Sequence, residues 1–161
     1  MCCSFNFQGR NVRPLDETLV IAAGRPGVQM RFGFRLADGR LVINARSETA
    51  LEKTLFRESL LCRRIAIPAD CFHEWDRDKV KYTFTRPDGR QMYLAGICGK
   101  SCFVILTTAA NRSMAPVHDR MPLILEDINA WMEEGDGFIP MLNMRPVELA
   151  RMAGIRQGSL L

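Results

Sequence analysis

Apolar runs separated by turn residues indicate that this chain is built mainly of β-strands. Met30–Leu36 and Leu41–Asn44 flank an Asp-Gly turn, and this spacing predicts a hairpin. Lys81–Arg86 and Gln91–Ile97 flank a second Asp-Gly turn and predict a second hairpin. A Gly-Lys-Ser turn then leads into Cys102–Thr107, an apolar run typical of a buried strand.

Helical patterns are short and lie between or after these strands. Thr49 and Glu52 have the spacing of a capping box before a rough apolar face, which predicts a helix between the first two hairpins. A second helix is expected after Asp127, through Ile128–Glu134. A third is expected over Pro146–Met152, because proline favours the first turn of a helix.

Turn residues predominate from Arg10 to Gln29, where only a short strand at Thr18–Ala22 is expected. These patterns together predict a β-rich α+β fold, with a curved or barrel-like, mostly antiparallel sheet and peripheral helices. A chain of 161 residues can bury a sizeable core, so we expect residues 1–161 to form a single domain.

The composition is that of an ordinary globular protein, with 47% hydrophobic and 25% charged residues. No apolar run approaches the roughly 20 residues that span a bilayer, and the N-terminus lacks a signal-peptide pattern. We therefore expect a cytoplasmic protein with no membrane partner. The formal net charge of +4 permits nucleic-acid binding without requiring it.

The six cysteines include no C-x-x-C pair, and the only histidines are His73 and His118. We therefore expect no metal site and no cofactor. In a reducing cytosol, cysteines outside the N-terminus are most simply small buried apolar side chains. This expectation covers Cys62, Cys71, Cys98 and Cys102.

A carboxylate lies among aromatic residues after the apolar run that ends near Pro68. Glu74 is preceded by Phe72 and His73 and followed by Trp75. Such surroundings suit a carboxylate to proton transfer near neutral pH. A glutamate that merely pairs with an arginine is the simpler interpretation of these residues alone.

Cys2 follows the initiator methionine, and removal of Met1 would give a residue with both a free α-amine and a thiol. Such a 1,2-aminothiol condenses with an aldehyde through the amine, and the thiol then closes a thiazolidine ring. An α-amine has a pKa of about 7.7–8.0, so a useful fraction is neutral at pH 7. In an arbitrary protein, an N-terminal cysteine has no special role.

Two further segments favour functional roles for Glu74 and Cys2 over these simpler interpretations. They are Asn44-Ala45-Arg46-Ser47-Glu48-Thr49 and Ala115-Pro116-Val117-His118-Asp119-Arg120-Met121-Pro122. With Cys2 and Glu74, they resemble the SRAP family (SOS-response-associated peptidases, or abasic-site shielding proteins) from about residue 44 to residue 125. The chain departs from the family at Cys3 and Ser4, where members typically read Gly and Arg. It also lacks a longer insertion after the N-terminus, so it resembles a shortened member.

The resemblance implies a protein that recognises abasic sites in single-stranded DNA and is nucleoid-associated when bound. It would form a thiazolidine crosslink through Cys2 after Met1 removal, with lyase activity through the same imine. The resemblance assigns catalytic roles to Cys2, Asn44, Glu74 and His118, and DNA contacts to Arg46, Trp75 and Arg120.

Other roles remain open for the same residues. Asn44 is of a type that often ends a turn, Trp75 can be a core residue, and a lone histidine is more often structural. One alternative function is a cysteine peptidase that uses the Cys2 thiol with His118 as base, acting on its own first residues. Another is a nucleic-acid-binding module without catalysis.

Overall fold

The structure, a computed structural model, describes residues 4–156, and most of this part of the chain is in β-strands. The predicted β-rich α+β class is therefore confirmed. The strands are β1 (Ser4–Phe7), β2 (Arg10–Val12), β3 (Glu17–Ala22), β4 (Arg25–Phe32), β5 (Phe34–Arg35), β6 (Leu41–Val42), β7 (Asn44–Arg46), β8 (Arg64–Ala69), β9 (Cys71–Trp75), β10 (Val80–Thr85), β11 (Met92–Cys98), β12 (Cys102–Ala109), β13 (Arg120–Pro122) and β14 (Ala150–Arg156). The helices are α1 (Thr54–Cys62), α2 (Ile128–Met132) and two 3-10 segments, Ala50–Glu52 and Ile139–Asn143.

Five strands close into a barrel. Their order is β11-β8-β3-β4-β12, and β12 pairs back with β11 to complete the ring. Neighbouring strands are antiparallel except for the parallel pair β4 and β12. The barrel-like, mostly antiparallel sheet predicted from the sequence is thus confirmed.

A second sheet, called here the side sheet, has the order β14-β10-β9-β1-β2 and is antiparallel throughout. One face of it carries Phe5, Phe72 and Phe84, which are fully buried in one cluster with Phe32 and Phe103 of the barrel strands. Burial of aromatic rings of this size is a large favourable term in folding. We call this the inner face of the side sheet.

The helices cover a separate apolar cluster on the barrel. Leu60 of α1 and Trp131 of α2 are fully buried there together with Val104 of β12. The Arg64 guanidinium stabilises this layer by donating to the Leu60 and Trp131 carbonyl oxygens at 2.8 and 2.7 Å. It thereby satisfies carbonyl groups at the ends of two helices that would otherwise lack partners.

The first two predicted helices are confirmed, although the cap predicted for the first is absent and the second has a cap that was not predicted. The Asp127 side chain accepts from the Ala130 backbone N–H at 2.9 Å, as an N-cap does. The Thr49 side chain makes no cap hydrogen bond, and a 3-10 turn precedes α1.

No helix within residues 4–156 is long and apolar enough to cross a membrane.

The hairpin predictions have mixed outcomes. The first is confirmed in shortened form, as β5 with β6, because Gly33 interrupts the strand with a φ of 114°. The second is wrong, because β10 belongs to the side sheet and β11 to the barrel. The Asp-Gly turn between them carries the chain from one sheet to the other.

Other predictions of secondary structure are also wrong. The strand predicted at Thr18–Ala22 is present as β3, but the rest of Arg10–Gln29 contains β2 and most of β4 rather than loops. Residues from Ala150 onward form β14 rather than a helix, and they gain their hydrogen-bond partners from β10. The side chain of Cys62 is exposed, whereas those of Cys71 and Cys98 are buried as predicted.

Candidate active site and nucleic-acid interface

The second half of β12 gathers residues from distant parts of the chain. On one edge, Thr107 is the register partner of Arg46 in β7. On the other edge, Ala109 is the partner of Arg120 in β13. The two motif segments therefore meet at the end of β12. We call the residues Asn44, Arg46, Glu48, His118 and Arg120 the strand-end cluster.

Arg120 is held by an ion pair inside this cluster. Its guanidinium donates to both carboxylate oxygens of Glu48, at 2.6 and 2.9 Å, and also to the Thr107 carbonyl oxygen at 2.8 Å. The bidentate geometry is the stronger form of such a pair. The nearby guanidinium holds the pKa of Glu48 below its usual value. Arg120 thus has a fixed position rather than a freely moving charge.

Glu48 is a site residue that sequence reasoning missed. Its only indication in the sequence was its place in the segment that contains Asn44 and Arg46. Its partner Arg120 lies 72 residues further along the chain, so the pair exists only because β7 and β13 flank the same strand.

Asn44 and Arg46 differ in exposure although they lie on the same short strand. Asn44 is half-buried, and its amide nitrogen lies 3.5 Å from the Ile105 carbonyl oxygen. Arg46 is exposed to solvent at the edge of the cluster. Asn44 is therefore held against the barrel strand β12, and Arg46 is accessible to an anion in solution.

His118 lies just before β13 with one ring nitrogen between two partners. Its Nδ1 atom is 3.0 Å from the Arg120 backbone nitrogen and 3.0 Å from an Asp119 carboxylate oxygen. A neutral Nδ1 accepts from the backbone N–H, whereas a protonated Nδ1 donates to the carboxylate. Which of the two partners Nδ1 engages therefore depends on whether this nitrogen carries the ring proton.

The loop that carries His118 is braced by Asn111, which is buried. Its amide nitrogen donates to the Pro146 and Val147 carbonyl oxygens at 3.0 and 2.8 Å. Its side-chain oxygen accepts from the Ser113 backbone N–H at 3.1 Å. These bonds fix the loop to the segment before β14.

Glu74 lies within β9 rather than beyond the end of a strand, which corrects the sequence-based placement. It is buried, with 5% exposure, and one oxygen accepts from the Trp75 backbone N–H at 3.3 Å. Because side chains alternate along a strand, Glu74 shares the inner face of the side sheet with Phe72. Trp75 is half-buried on the opposite face, where the Lys81 ammonium lies 5.8 Å from its ring centroid.

The inner face and the His118 loop border the same apolar cluster. Met114 and Val117 of that loop are buried in the cluster with Phe72. The sheet face that carries Glu74 therefore packs against the same apolar cluster as the loop that carries His118. Cys2 lies outside the described residues, and the first described residue, Ser4, is the register partner of His73 next to Glu74.

His73 is a buried histidine on the outer face of the side sheet. Its Nδ1 atom is 3.1 Å from the Thr83 hydroxyl, and its Nε2 atom is 3.1 Å from the Asn6 amide oxygen. Burial, and to a lesser extent the charge of Lys81, lower the pKa of His73 to about 4. The ring is therefore neutral at physiological pH and bridges β1, β9 and β10.

Within residues 4–156, no group of three or more His, Cys, Asp or Glu side chains is arranged to hold a metal ion. The polar groups of the site are an amide, an imidazole, arginines and a buried carboxylate. Such groups can bind an anionic ligand and move protons. Fold and site together define a β-barrel protein that has arginine, amide and imidazole side chains at the end of β12 and a buried carboxylate on the adjoining sheet.

Residues 6–150 match the family model described as SOS response associated peptidase (SRAP), and the chain belongs to that family. It is 38% identical over 105 residues to the abasic site processing protein YoqW of Bacillus subtilis, covering 56% of this chain and 46% of that protein. It is 31% identical over 106 residues to YedK of Escherichia coli, also named an abasic site processing protein, covering 58% and 48%. The chain thus spans about half the length of the curated relatives it matches.

Solved structures share the fold. A protein from Bordetella bronchiseptica superposes with a TM-score of 0.78 and 23% identity, covering 90% of this chain and 87% of that one. A protein from Bacteroides thetaiotaomicron gives a TM-score of 0.79 and 20% identity, covering 91% and 78%.

Proposed function

We propose that this protein recognises abasic sites in single-stranded DNA and captures them covalently through Cys2 after removal of Met1. The observation that carries the proposal is the convergence of Asn44, Arg46 and His118 around the end of β12. Glu74 is buried on the sheet that packs against the same apolar cluster as the His118 loop. The relatives named abasic site processing proteins support the choice of substrate. In the cell, this activity belongs in the cytoplasm, with the protein on the nucleoid when it is bound to DNA.

The N-terminal strand supports the role of Cys2. β1 begins at Ser4, beside the strand that carries Glu74. Two residues further back along the chain, the backbone of Cys2 can be at most about 7 Å away from that of Ser4. The described chain that follows the proposed nucleophile therefore begins beside the strand of the proposed acid–base residue.

The chemistry has two steps on the aldehyde of the ring-opened sugar. First, the α-amine of Cys2 attacks the aldehyde carbon, and loss of water gives an imine. Second, the thiol adds to the imine carbon while the nitrogen takes the thiol proton, which closes the thiazolidine. Glu74 and His118 shuttle protons in these steps, and Asn44 orients the amine or the sugar.

A lyase reaction can branch from the same imine. Abstraction of the neighbouring sugar proton expels the 3′ phosphate as the leaving group and breaks the strand. Ring closure by the Cys2 thiol removes the imine and so competes with this branch.

Arg46 and Arg120 contact phosphates, and Trp75 offers a ring on which an exposed base can stack.

Denaturing gels with single-stranded DNA that contains one abasic site test the proposal. Mature wild-type protein should form a heat-stable adduct with the abasic DNA and should form no adduct with intact DNA. Cys2→Ala retains the amine, so it should give an adduct only after hydride reduction of the imine. Cys3→Ala is the matched control and should crosslink like the wild type. A heat-stable, unreduced adduct at the wild-type level with Cys2→Ala would exclude the thiazolidine.

The same gels, read as a time course, test the proton-transfer roles. Glu74→Gln and His118→Ala should slow adduct formation about 10²- to 10⁴-fold, which is typical for the loss of a general acid or base. Their affinity for intact single-stranded DNA should stay near the wild-type value. Equal rates in variants and wild type would leave both residues with structural roles only.

A further inference from the structure

A tyrosine and an arginine lie on the inner face of the side sheet, next to Glu74. Tyr82 of β10 is the direct register partner of Glu74 in β9. In antiparallel strands, such partners share a face, with Cβ atoms about 4.5–5.5 Å apart. On the other edge of β10, Tyr82 is the register partner of Ala153 in β14, whose side chain is small. The ring is half-buried and is not hidden by a large partner on β14.

Arg151 of β14 is the register partner of Phe84, so it lies on the same inner face. Its guanidinium carbon is 5.8 Å from the centroid of the Tyr82 ring. It also donates to the Ser113 carbonyl oxygen at 3.3 Å, in the loop that carries His118. Arg151 therefore spans the space between β10 and this loop, on the side of Glu74.

The charge of Arg151 is available to an anion. The side chain is exposed, and its hydrogen bond goes to a neutral carbonyl rather than to a carboxylate. This arrangement contrasts with Arg120, whose charge is offset by Glu48. An arginine has five N–H donors, so the contact with Ser113 leaves others for a phosphate. The neighbouring Glu148 uses one oxygen to accept from the Ser113 backbone N–H at 2.8 Å.

We propose that Tyr82 and Arg151 form a subsite for the nucleotide next to the abasic sugar. The Tyr82 ring stacks on the base, and Arg151 contacts the phosphate that joins this nucleotide to the abasic one. The inference rests on the proposed function, because it takes Glu74 as the position of the reacting sugar. Tyr82 lies outside the motif segments, and Arg151 follows the last residue matched by the family model.

Equilibrium binding of mature protein to an intact single-stranded oligothymidylate, measured by fluorescence anisotropy over a salt series, tests the subsite. Tyr82→Leu keeps an apolar side chain but removes the ring, and should weaken binding about 5- to 100-fold. Tyr82→Phe should bind like the wild type. Arg151→Gln should flatten the slope of log affinity against log salt by about 0.7, the value for one phosphate contact on a single strand. Arg151→Lys should largely retain the slope.

Matched changes far from the subsite serve as controls. Tyr93→Leu removes a half-buried ring on the barrel strand β11, and Arg25→Gln removes an exposed charge at the start of β4. Both should bind DNA like the wild type, and thermal melts should show that all variants are folded. Unchanged affinity in Tyr82→Leu, or an unchanged salt slope in Arg151→Gln, would overturn the subsite. This assay needs no crosslink, so its result is independent of whether the Cys2 chemistry occurs.

Discussion

At the scale of single residues, His73 shows how one neutral ring ties three strands together. Its two nitrogens contact Asn6 and Thr83, so it links the N-terminal strand to the strands that hold Glu74 and Tyr82. A buried polar group that is fully hydrogen-bonded specifies one arrangement of its neighbours. His73 therefore helps to set the register of β1 against β9.

This role makes the stability of the fold depend on pH. The pKa of His73 is lowered to about 4 in the folded protein, against 6.5 for the free side chain. Between these values the unfolded chain takes up a proton that the folded protein does not. The His73 contribution to the free energy of unfolding should therefore fall as pH drops from about 6.5 to about 4, by up to about 3 kcal/mol.

Urea unfolding of wild type and His73→Gln across this pH range measures the effect. Glutamine does not titrate, so the variant should lose less stability on acidification than the wild type. His118→Gln is the matched control, and it should retain the wild-type loss because His73 is still present. Parallel pH profiles for His73→Gln and wild type would contradict the assignment.

At the scale of secondary-structure elements, β12 organises the candidate site. It completes the barrel with its first half and holds β7 and β13 with its second half. Two arginines from the motif segments thereby lie close to the same strand end, but only one of them has a carboxylate partner within residues 4–156. Arg46 is exposed, whereas Arg120 is paired with Glu48.

The two arginines should therefore contribute unequally to DNA binding. Arg46→Ala should flatten the salt dependence of affinity for single-stranded DNA by about 0.7 per lost phosphate contact. Arg120→Ala should flatten it less, because Glu48 already offsets much of its charge. Glu48→Gln should steepen the slope, since it releases the Arg120 charge. An equally large effect of Arg46→Ala and Arg120→Ala would mean that the ion pair opens fully when DNA binds.

The sequence predicted local features of these elements better than their partners. The strand after Gly99 and the helix after Asp127 depend on neighbouring residues, and both were predicted correctly. The pairing of β10 with β14, across about 70 residues of chain, was not. Its strand residues from Ala150 onward look helical in isolation, and only the long-range partner makes them a strand.

At the scale of the whole molecule, the barrel and the side sheet pack against one apolar cluster, and each carries part of the proposed site. The barrel contributes Asn44, Arg46 and His118, and the side sheet contributes Glu74. The motifs identified these residues from the sequence, but not Glu48, whose role depends on contact with a distant strand. The proposed account also needs the N-terminal strand, because Cys2 precedes β1 in the chain and β1 pairs with the strand that carries Glu74.

The most direct test of this account compares protein that retains Met1 with protein from which an aminopeptidase has removed it. While Met1 remains, the nitrogen of Cys2 is an amide whose lone pair is delocalised, so it cannot form an imine. The Met1-retaining protein should bind abasic single-stranded DNA without a heat-stable adduct, and removal of Met1, confirmed by intact mass, should restore the adduct. Release of Met1 by the protein itself would instead support the peptidase alternative. A stable crosslink at an undiminished rate with Met1 in place would contradict the aminothiol mechanism.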